Sequence, residues 1–257
     1  MKLEIEKEKL NEMLQYLIVA DLYEFPELTV DGEGFIQSIQ ETSDHSVFRY
    51  VKFSPSYFKD IEKKEETIKI DGKKLEKIIA NEDPKSSIKI ETKDGRLFVF
   101  GDRTKADLNL VEVDETKIRK SLPFSIKDGV PYFKKKTTPL DTWMSLDLSS
   151  FKSICDYAKI LETEFFKFLV DEKNKVTIKV GDLEGYAETI EYEPKAEIKE
   201  KNSEIVDVVL TRGIKELSDT FKNNIGVRMK TGFPAWFFEG EKTYKFGVLV
   251  APHRREN

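Results

Sequence analysis

The side chains in this chain that point to a chemistry are basic ones carried on short helical segments. Lys7, Lys9, Lys73, Lys74, Lys77, Lys152, Lys159, Arg212, Lys215 and Lys222 fall on four segments whose apolar residues recur at helical spacing. The apolar stripe of each segment must face a core, so the basic residues face outward. Flexible point charges of this kind suit loose contact with phosphate oxygens, which positions a protein on nucleic acid without reading bases. Glu12, Glu76, Asp156 and Glu216 interrupt the rows, and charged helix faces also arise for solubility alone.

Signatures of bond-making chemistry are scarce. His45 and His253 are the two histidines and lie in different contexts. No spacing matches a zinc site, no glycine-rich loop cradles phosphate, and no Gly-x-Ser-x-Gly elbow occurs. Cys155 lies on an apolar helix face between Ile154 and Ala158, the setting of a core thiol rather than a nucleophile. Carboxylates are abundant, but nothing selects a pair for metal-assisted cleavage. The expectation is a protein without catalytic residues, metal or cofactor. Trp143, Trp236, Phe237 and Phe238 read as packing residues, with Trp143 also a candidate partner contact.

The elements that must position the basic residues occur twice. The helical segments open with IEKEKL from Ile5, IDGKKL from Ile70, LDLSSF from Leu146 and LTRGI from Leu210. The first and third lie about 140 residues apart, as do the second and fourth. A period that long indicates two copies of one domain, because solenoid repeats run ~20–50 residues. In each copy a strand precedes each helix and several alternating runs follow it. Asp71 is the expected cap of the second helix and Thr211 of the fourth, and Ser149 or Ser150 precedes the third. Residues 1–113 form one domain and 143–257 the other. Residues 114–142 form a connector, with Pro123, Pro131, Pro139 and the basic run Lys134–Lys136. This order predicts an α+β fold with antiparallel sheets and helices on one side.

Bulk properties narrow the class. The chain has 257 residues, 39% hydrophobic and 35% charged, with a formal net charge of −5. It is not a globally basic nucleic-acid binder, so any such contact is local. One cysteine permits no internal disulfide, the amino terminus has no apolar signal core, and no run reaches the ~18 apolar residues of a membrane span. The expected location is cytoplasmic, beside a nucleoid, or nuclear, and not secreted.

Two segments carry a family likeness. DGEGFIQSIQETSDHSVFRYVKFSPSYF, from Asp31 to Phe58, resembles a region of the sliding clamps of the proliferating cell nuclear antigen type. So does the terminal FPAWFFEGEKTYKFGVLVAPHRREN, with Val250-Ala251-Pro252 in the place of that family's tail. The resemblance implies the DNA clamp fold and a ring, usually of three identical subunits, whose helices line a hole around duplex DNA. It implies a processivity factor that performs no chemistry and tethers DNA polymerase, a clamp loader and other peptide-bearing replication and repair proteins. It also implies a partner-peptide pocket walled by Gln40, His45, Leu122, Phe124, Ile126, Pro234, Ala251 and Pro252. Subunit contacts fall to one edge strand in each half, expected at Ala106–Val113 and Lys175–Gly181. The long basic connector departs from the family, which commonly carries acidic residues there. The competing readings are a clamp-like paralogue or mobile-element clamp with altered partners, a metal-dependent nucleic-acid enzyme, and a scaffold that never meets DNA.

Overall fold

The structure, a computed structural model, describes residues 1–18, 24–42, 46–112, 124–127, 130–133, 140, 142–182, 188–211 and 213–252; of 124–127, 130–133 and 211 the backbone alone is described. The chain begins with β1 (Lys2–Glu6), α1 (Lys7–Leu17), β2 (Glu27–Val30), β3 (Ile36–Glu41), β4 (Val47–Phe53), β5 (Asp60–Ile61) and β6 (Glu66–Lys69). It continues with α2 (Gly72–Ile79), β7 (Ser87–Lys93), β8 (Arg96–Phe100) and β9 (Lys105–Asn109). A hairpin of β10 (Phe124–Lys127) and β11 (Val130–Phe133) follows. Then come β12 (Thr142–Leu146), α3 (Leu148–Ile160), β13 (Phe165–Val170), β14 (Val176–Gly181), β15 (Thr189–Tyr192) and β16 (Ala196–Lys201). The chain closes with β17 (Val206–Thr211), β18 (Ile225–Met229), β19 (Ala235–Gly240) and β20 (Tyr244–Val250). No helix among the described residues is long and apolar enough to cross a membrane.

Strand order repeats as the sequence does. The order β5-β1-β7-β8-β9 has its counterpart in β16-β12-β18-β19-β20, and β6-β2-β3-β4 in β17-β13-β14-β15. The pairings within these sheets are antiparallel, as expected where strands join by short turns. The chain divides into two compact units. The first comprises Met1–Gln40, Arg49–Ile118 and Gly240–Phe246; the second comprises Glu41–Phe48, Arg119–Glu239 and Gly247–Asn257.

Each unit is built on an apolar helix stripe. In the first, Leu10, Met13, Leu14, Tyr16 and Leu17 of α1 are buried, and α1 packs beside α2. Tyr16 stacks within 5.1 Å of Tyr244 and 5.0 Å of Phe246, and the two tyrosine hydroxyls meet at 3.1 Å, so the buried polar tips satisfy each other. In the second unit, Phe151, Ile154, Cys155 and Ala158 of α3 are buried, with Phe151 edge-on to Phe221 at 5.6 Å. Burial pushes the Cys155 thiol up to about 12, so it rests as the neutral thiol, with Sγ 3.4 Å from the Ile214 carbonyl.

The repeated aspartates of the helix openings are the caps. Asp71 accepts from Lys74 N at 2.9 Å, and Asp147, not a serine, accepts from Ser150 N at 3.1 Å. Ser149 also donates to Asp147, and that bond, ahead of the Ser150 amide, holds its carboxyl below the usual carboxylate range. A carboxylate whose folded pKa is depressed stabilises above its unfolded value, near ~4, and this stabilisation is lost as pH falls through the folded value. Urea midpoints of wild type and Asp147→Asn, compared at pH 7 and pH 3, test this. The wild type is expected to lose more stability on acidification, and equal losses would remove Asp147 from the acid response.

Two expectations give way. The helix expected from Thr211 through Phe221 is a single 3-10 turn, Lys215–Leu217. The cause is Gly213, at φ +78, in the left-handed region where a helix cannot start. A Cβ there would stand 2.5 Å from Val47 Cγ2, so the chain passes too close for a side chain. Second, the edge strand expected at Lys175–Gly181 is internal: β14 lies between β13 and β15, and β15 takes the edge.

Candidate functional site

The helix-borne basic residues separate by their partners. Lys73 pairs with Glu24. Lys159 reaches Asp156 at 3.4 Å, and Lys215 reaches Glu164 at 3.5 Å and Glu216 at 3.9 Å. Lys9 lies over the Tyr57 ring at 5.7 Å. Among the described residues, Lys7, Lys74, Lys77 and Lys152 make no ion pair, and all but Lys7 are exposed. Lys222 is exposed too, with its backbone N–H held by Glu239 at 3.1 Å. Arg212 lies outside the described residues. In the first unit α1 and α2 pack together and bring Lys7, Lys74 and Lys77 onto one helix pair; in the second, α3 packs on the 3-10 turn that carries Lys215.

The orientation of α1 is fixed at both ends by residues that sequence reasoning passed over. Near its start, the Tyr57 hydroxyl donates to the Lys9 carbonyl at 2.8 Å and to Glu12 Oε2 at 2.9 Å. Burial, reinforced by the Glu12 carboxylate, holds the Tyr57 phenol far above its ordinary value. At its end, Arg49 is fully buried and donates to the Tyr16 carbonyl at 2.9 Å and to the Leu17 carbonyl. These are carbonyls that the last turn of a helix leaves unbonded, and a cation there also opposes the helix dipole. The signal was present in β4, where Arg49 shares the inward phase of Val47, Val51 and Phe53.

The expected partner-pocket residues are partly gathered. Ala251 N–H donates to the Ser46 carbonyl at 2.8 Å, and Pro252 bridges Leu210, so the Ala251-Pro252 pair is seated on the second unit. Pro234 is half-buried just before β19, and Phe124 and Ile126 lie in β10. His45 and Leu122 lie outside the described residues. Gln40 accepts from Arg49 and donates to the Phe25 carbonyl at 3.1 Å; the neighbouring Ile39 is the exposed apolar residue on β3. Trp143 is half-buried, stacked by the Arg228 guanidinium at 4.9 Å, while Arg228 Nη1 reaches Glu200 at 3.5 Å.

Strand edges form the other candidate surface, since an unpaired edge invites another strand. Most terminal strands are guarded. β5 spans two residues. β6 receives Val111 N–H at the Lys69 carbonyl, and β17 is bridged by Pro252. β16 is bulged opposite Trp143 and Met144, and it carries Glu197 and Lys199. β9 and β15 have unbroken registers to their inner neighbours, and among the described residues no other strand pairs with their outer edges. One lies in each unit. No group of three or more His, Cys, Asp or Glu side chains among the described residues can hold a metal ion.

No protein-family model and no curated protein matches the chain. Solved structures do match in fold over nearly its whole length. The A. fulgidus PCNA, solved with the C-terminal region of FEN-1 bound, has a TM-score of 0.75 at 16% identity, covering 100% of this chain and 99% of that one. The proliferating cellular nuclear antigen of Entamoeba histolytica gives 0.78 at 15% identity over 98% of each chain. PCNA of Thermococcus kodakaraensis gives 0.74 at 15%, covering 98% of this chain and 99% of that one. The chain therefore has the fold of these clamps.

Proposed function

We propose that this chain is a DNA sliding clamp: copies associate into a closed ring that encircles duplex DNA and tethers replication and repair proteins. The observation that carries the reading is the doubled strand order with one unguarded edge in each unit, β9 and β15. Two different edges on one chain make a head-to-tail contact, and such contacts close into rings when the rotation permits. Three copies is the number the resemblance implies. The halves act as two clamp domains, 1–113 and 143–257, on either side of the 114–142 connector. Partner peptides occupy the surface around Gln40, His45, Leu122, Phe124, Ile126, Pro234, Ala251 and Pro252, the set the resemblance implies; the A. fulgidus clamp was itself solved with the C-terminal region of FEN-1 bound. The ring works without chemistry of its own, in a cytoplasmic or nuclear compartment.

The physics is topological. A ring held by weak, exchangeable phosphate contacts slides because no register is preferred, and enclosure keeps it on the duplex. The net charge of −5 discourages binding to DNA from outside. Loading onto closed circular DNA and onto the same DNA cut once tests the claim. Retention on the circle and escape from the linear form are expected; equal retention would show ordinary binding instead. Polymerase extension on primed circles, with a loader, reads the tethering.

Unpaired lysines should carry the DNA contact. Replacing Lys74, Lys77 and Lys152 with alanine is expected to flatten the salt dependence of DNA binding by about 0.9 for each phosphate that is no longer neutralised. The same change at Lys73, Lys159 and Lys215, already engaged by carboxylates, should flatten it less. Equal slopes in the two triple variants would count against this division.

A further inference from the structure

Glu82 is a buried charge outside the surfaces described so far: it lies between α2 and β7 and is 3% exposed. A charge taken out of water is costly unless hydrogen bonds receive it. Here they come from the turn that joins β8 to β9. The Arg103 N–H donates to Glu82 Oε1 at 3.0 Å. The Thr104 hydroxyl, with the amides of Arg103, Asp102 and Thr104, holds the carboxyl below the usual carboxylate range. Three successive backbone N–H groups thus converge on one carboxylate, the arrangement of an anion nest.

The turn is fitted to that carboxylate. A Cβ at Gly101 would stand 2.5 Å from Glu82 Oε1, so position 101 has no room for a side chain while the carboxylate is in place. The Gly101 N–H closes the turn on the Thr104 carbonyl at 2.8 Å. Further ties run between the same two segments: the Ser86 hydroxyl donates to Asp102 Oδ2 at 2.9 Å, and Arg103 Nη2 reaches Asp83 Oδ2 at 3.2 Å. β9 starts at Lys105, directly after Thr104, and among the described residues β8 is its one strand neighbour. A short strand held along one side frays readily from its end. The Glu82 carboxylate pins that end to the body of the unit.

We propose that Glu82 is a positioning residue for the contact between copies of this chain: by filling the nest of the β8–β9 turn, it holds β9 in the line that a strand of the next copy must meet. The inference rests on the clamp reading, which makes β9 one side of that contact. Strand pairing needs the donors and acceptors of both edges in phase, so an edge that frays at Lys105 loses junction bonds before the unit loses its core. Ile88, Ile90, Leu97 and Val99 are buried in the inner strands β7 and β8, so the fold has its own support and loosening of the turn falls mainly on β9.

Full-length wild type, Glu82→Ala and Gly101→Ala are compared by sedimentation over a concentration series, with amide exchange and retention on circular DNA measured on the same preparations. Glu82→Ala is expected to weaken association about tenfold or more. It should speed exchange of the Ala106 amide by about the same factor, while the amides of β1 and β7 keep wild-type rates. Gly101→Ala, which expels the carboxylate, should do the same, and the double variant should be no weaker than either single one. Acetate has the shape of the group that Glu82→Ala removes, so adding it should restore much of the association of that variant, where chloride at the same ionic strength does not. Gly101→Ala should gain nothing from acetate, because its nest is filled by the new methyl group. Wild-type association of Glu82→Ala, faster exchange throughout β1 and β7, or equal effects of acetate and chloride would overturn the proposal. Should Glu82→Ala not fold, Gly101→Ala decides by the same sedimentation and exchange measurements. A wild type that assembles and is retained on circular DNA, with both variants equal to it, overturns this inference alone; a wild type that stays monomeric and escapes the circle overturns the clamp reading and this inference with it.

Discussion

Asp107→Pro and Glu191→Pro are each expected to take the proposed ring apart while leaving the chain folded. The Gly101 N–H bonds the Thr104 carbonyl at 2.8 Å, and the Leu110 N–H bonds the Gly95 carbonyl at 3.2 Å. These two bonds set the phase of the β8–β9 ladder: Val99↔Ala106 and Leu97↔Leu108 exchange bonds, and Phe98↔Asp107 does not. The Asp107 N–H thus points off the open edge of β9, towards any strand that joins it. By the same counting, the Asp182 N–H on the Glu188 carbonyl at 3.2 Å leaves the Glu191 N–H pointing off β15. Proline at either position spares the internal ladder, removes one donor and crowds the incoming strand. A penalty of ~3 kcal/mol per junction corresponds to roughly 100-fold weaker association. Loss of the Asp107–Arg96 pair, half-exposed on both sides, adds little. Leu108→Pro is the contrasting case, since it breaks the β8–β9 ladder and should damage the fold. Sedimentation at micromolar concentration, with circular dichroism beside it, reads the outcome. A folded Asp107→Pro chain that still sediments as the full assembly would place the junction elsewhere.

Arg49→Met should cost about 3 kcal/mol or more of folding stability. Methionine restores most of the volume but none of the donors. The Tyr16 and Leu17 carbonyls would be left in a fully buried site without their charged partner, and Gln40 would lose its tie to β4. Stranded buried acceptors carry their desolvation cost in full. For a chain of this size the loss corresponds to a fall in Tm of roughly 6–12 °C. Differential scanning calorimetry reads it, and a shift below ~2 °C would show that Arg49 does not hold the end of α1. The functional consequence follows from geometry: α1 carries Lys7 and Lys9, so a helix freed at its end presents them less uniformly.

Several elements were legible because their signal is local. The stripe of Leu10, Met13, Leu14 and Leu17 marks α1, and all four residues are buried. Alternation marks β1 and β13. The doubling was legible from helix openings alone, and the aspartates at its aligned positions cap α2 and α3. Other elements carried no such mark. β16, AEIKEK, is mostly charged and buries none of its residues, and its ladder is bulged, so its alternation reads as loop. The segment after Thr211 has helical spacing at Ile214, Leu217 and Phe221, yet those residues pack from turns. The spacing was right, but the close approach of Val47 to Gly213 overrides it.

The amino-acid sequence by itself carried the repeated α+β plan, where the helix stripes face inward, and the placing of the lysines of α1, α2 and α3 off those buried stripes. These follow from periodicity, which acts between residues a few positions apart. Tertiary structure alone decided which strands are left with an open edge, which lysines are already engaged by carboxylates, and that Arg49 spends its charge on the end of α1. Each of those depends on groups brought together from distant parts of the chain, and no short-range pattern encodes such a meeting.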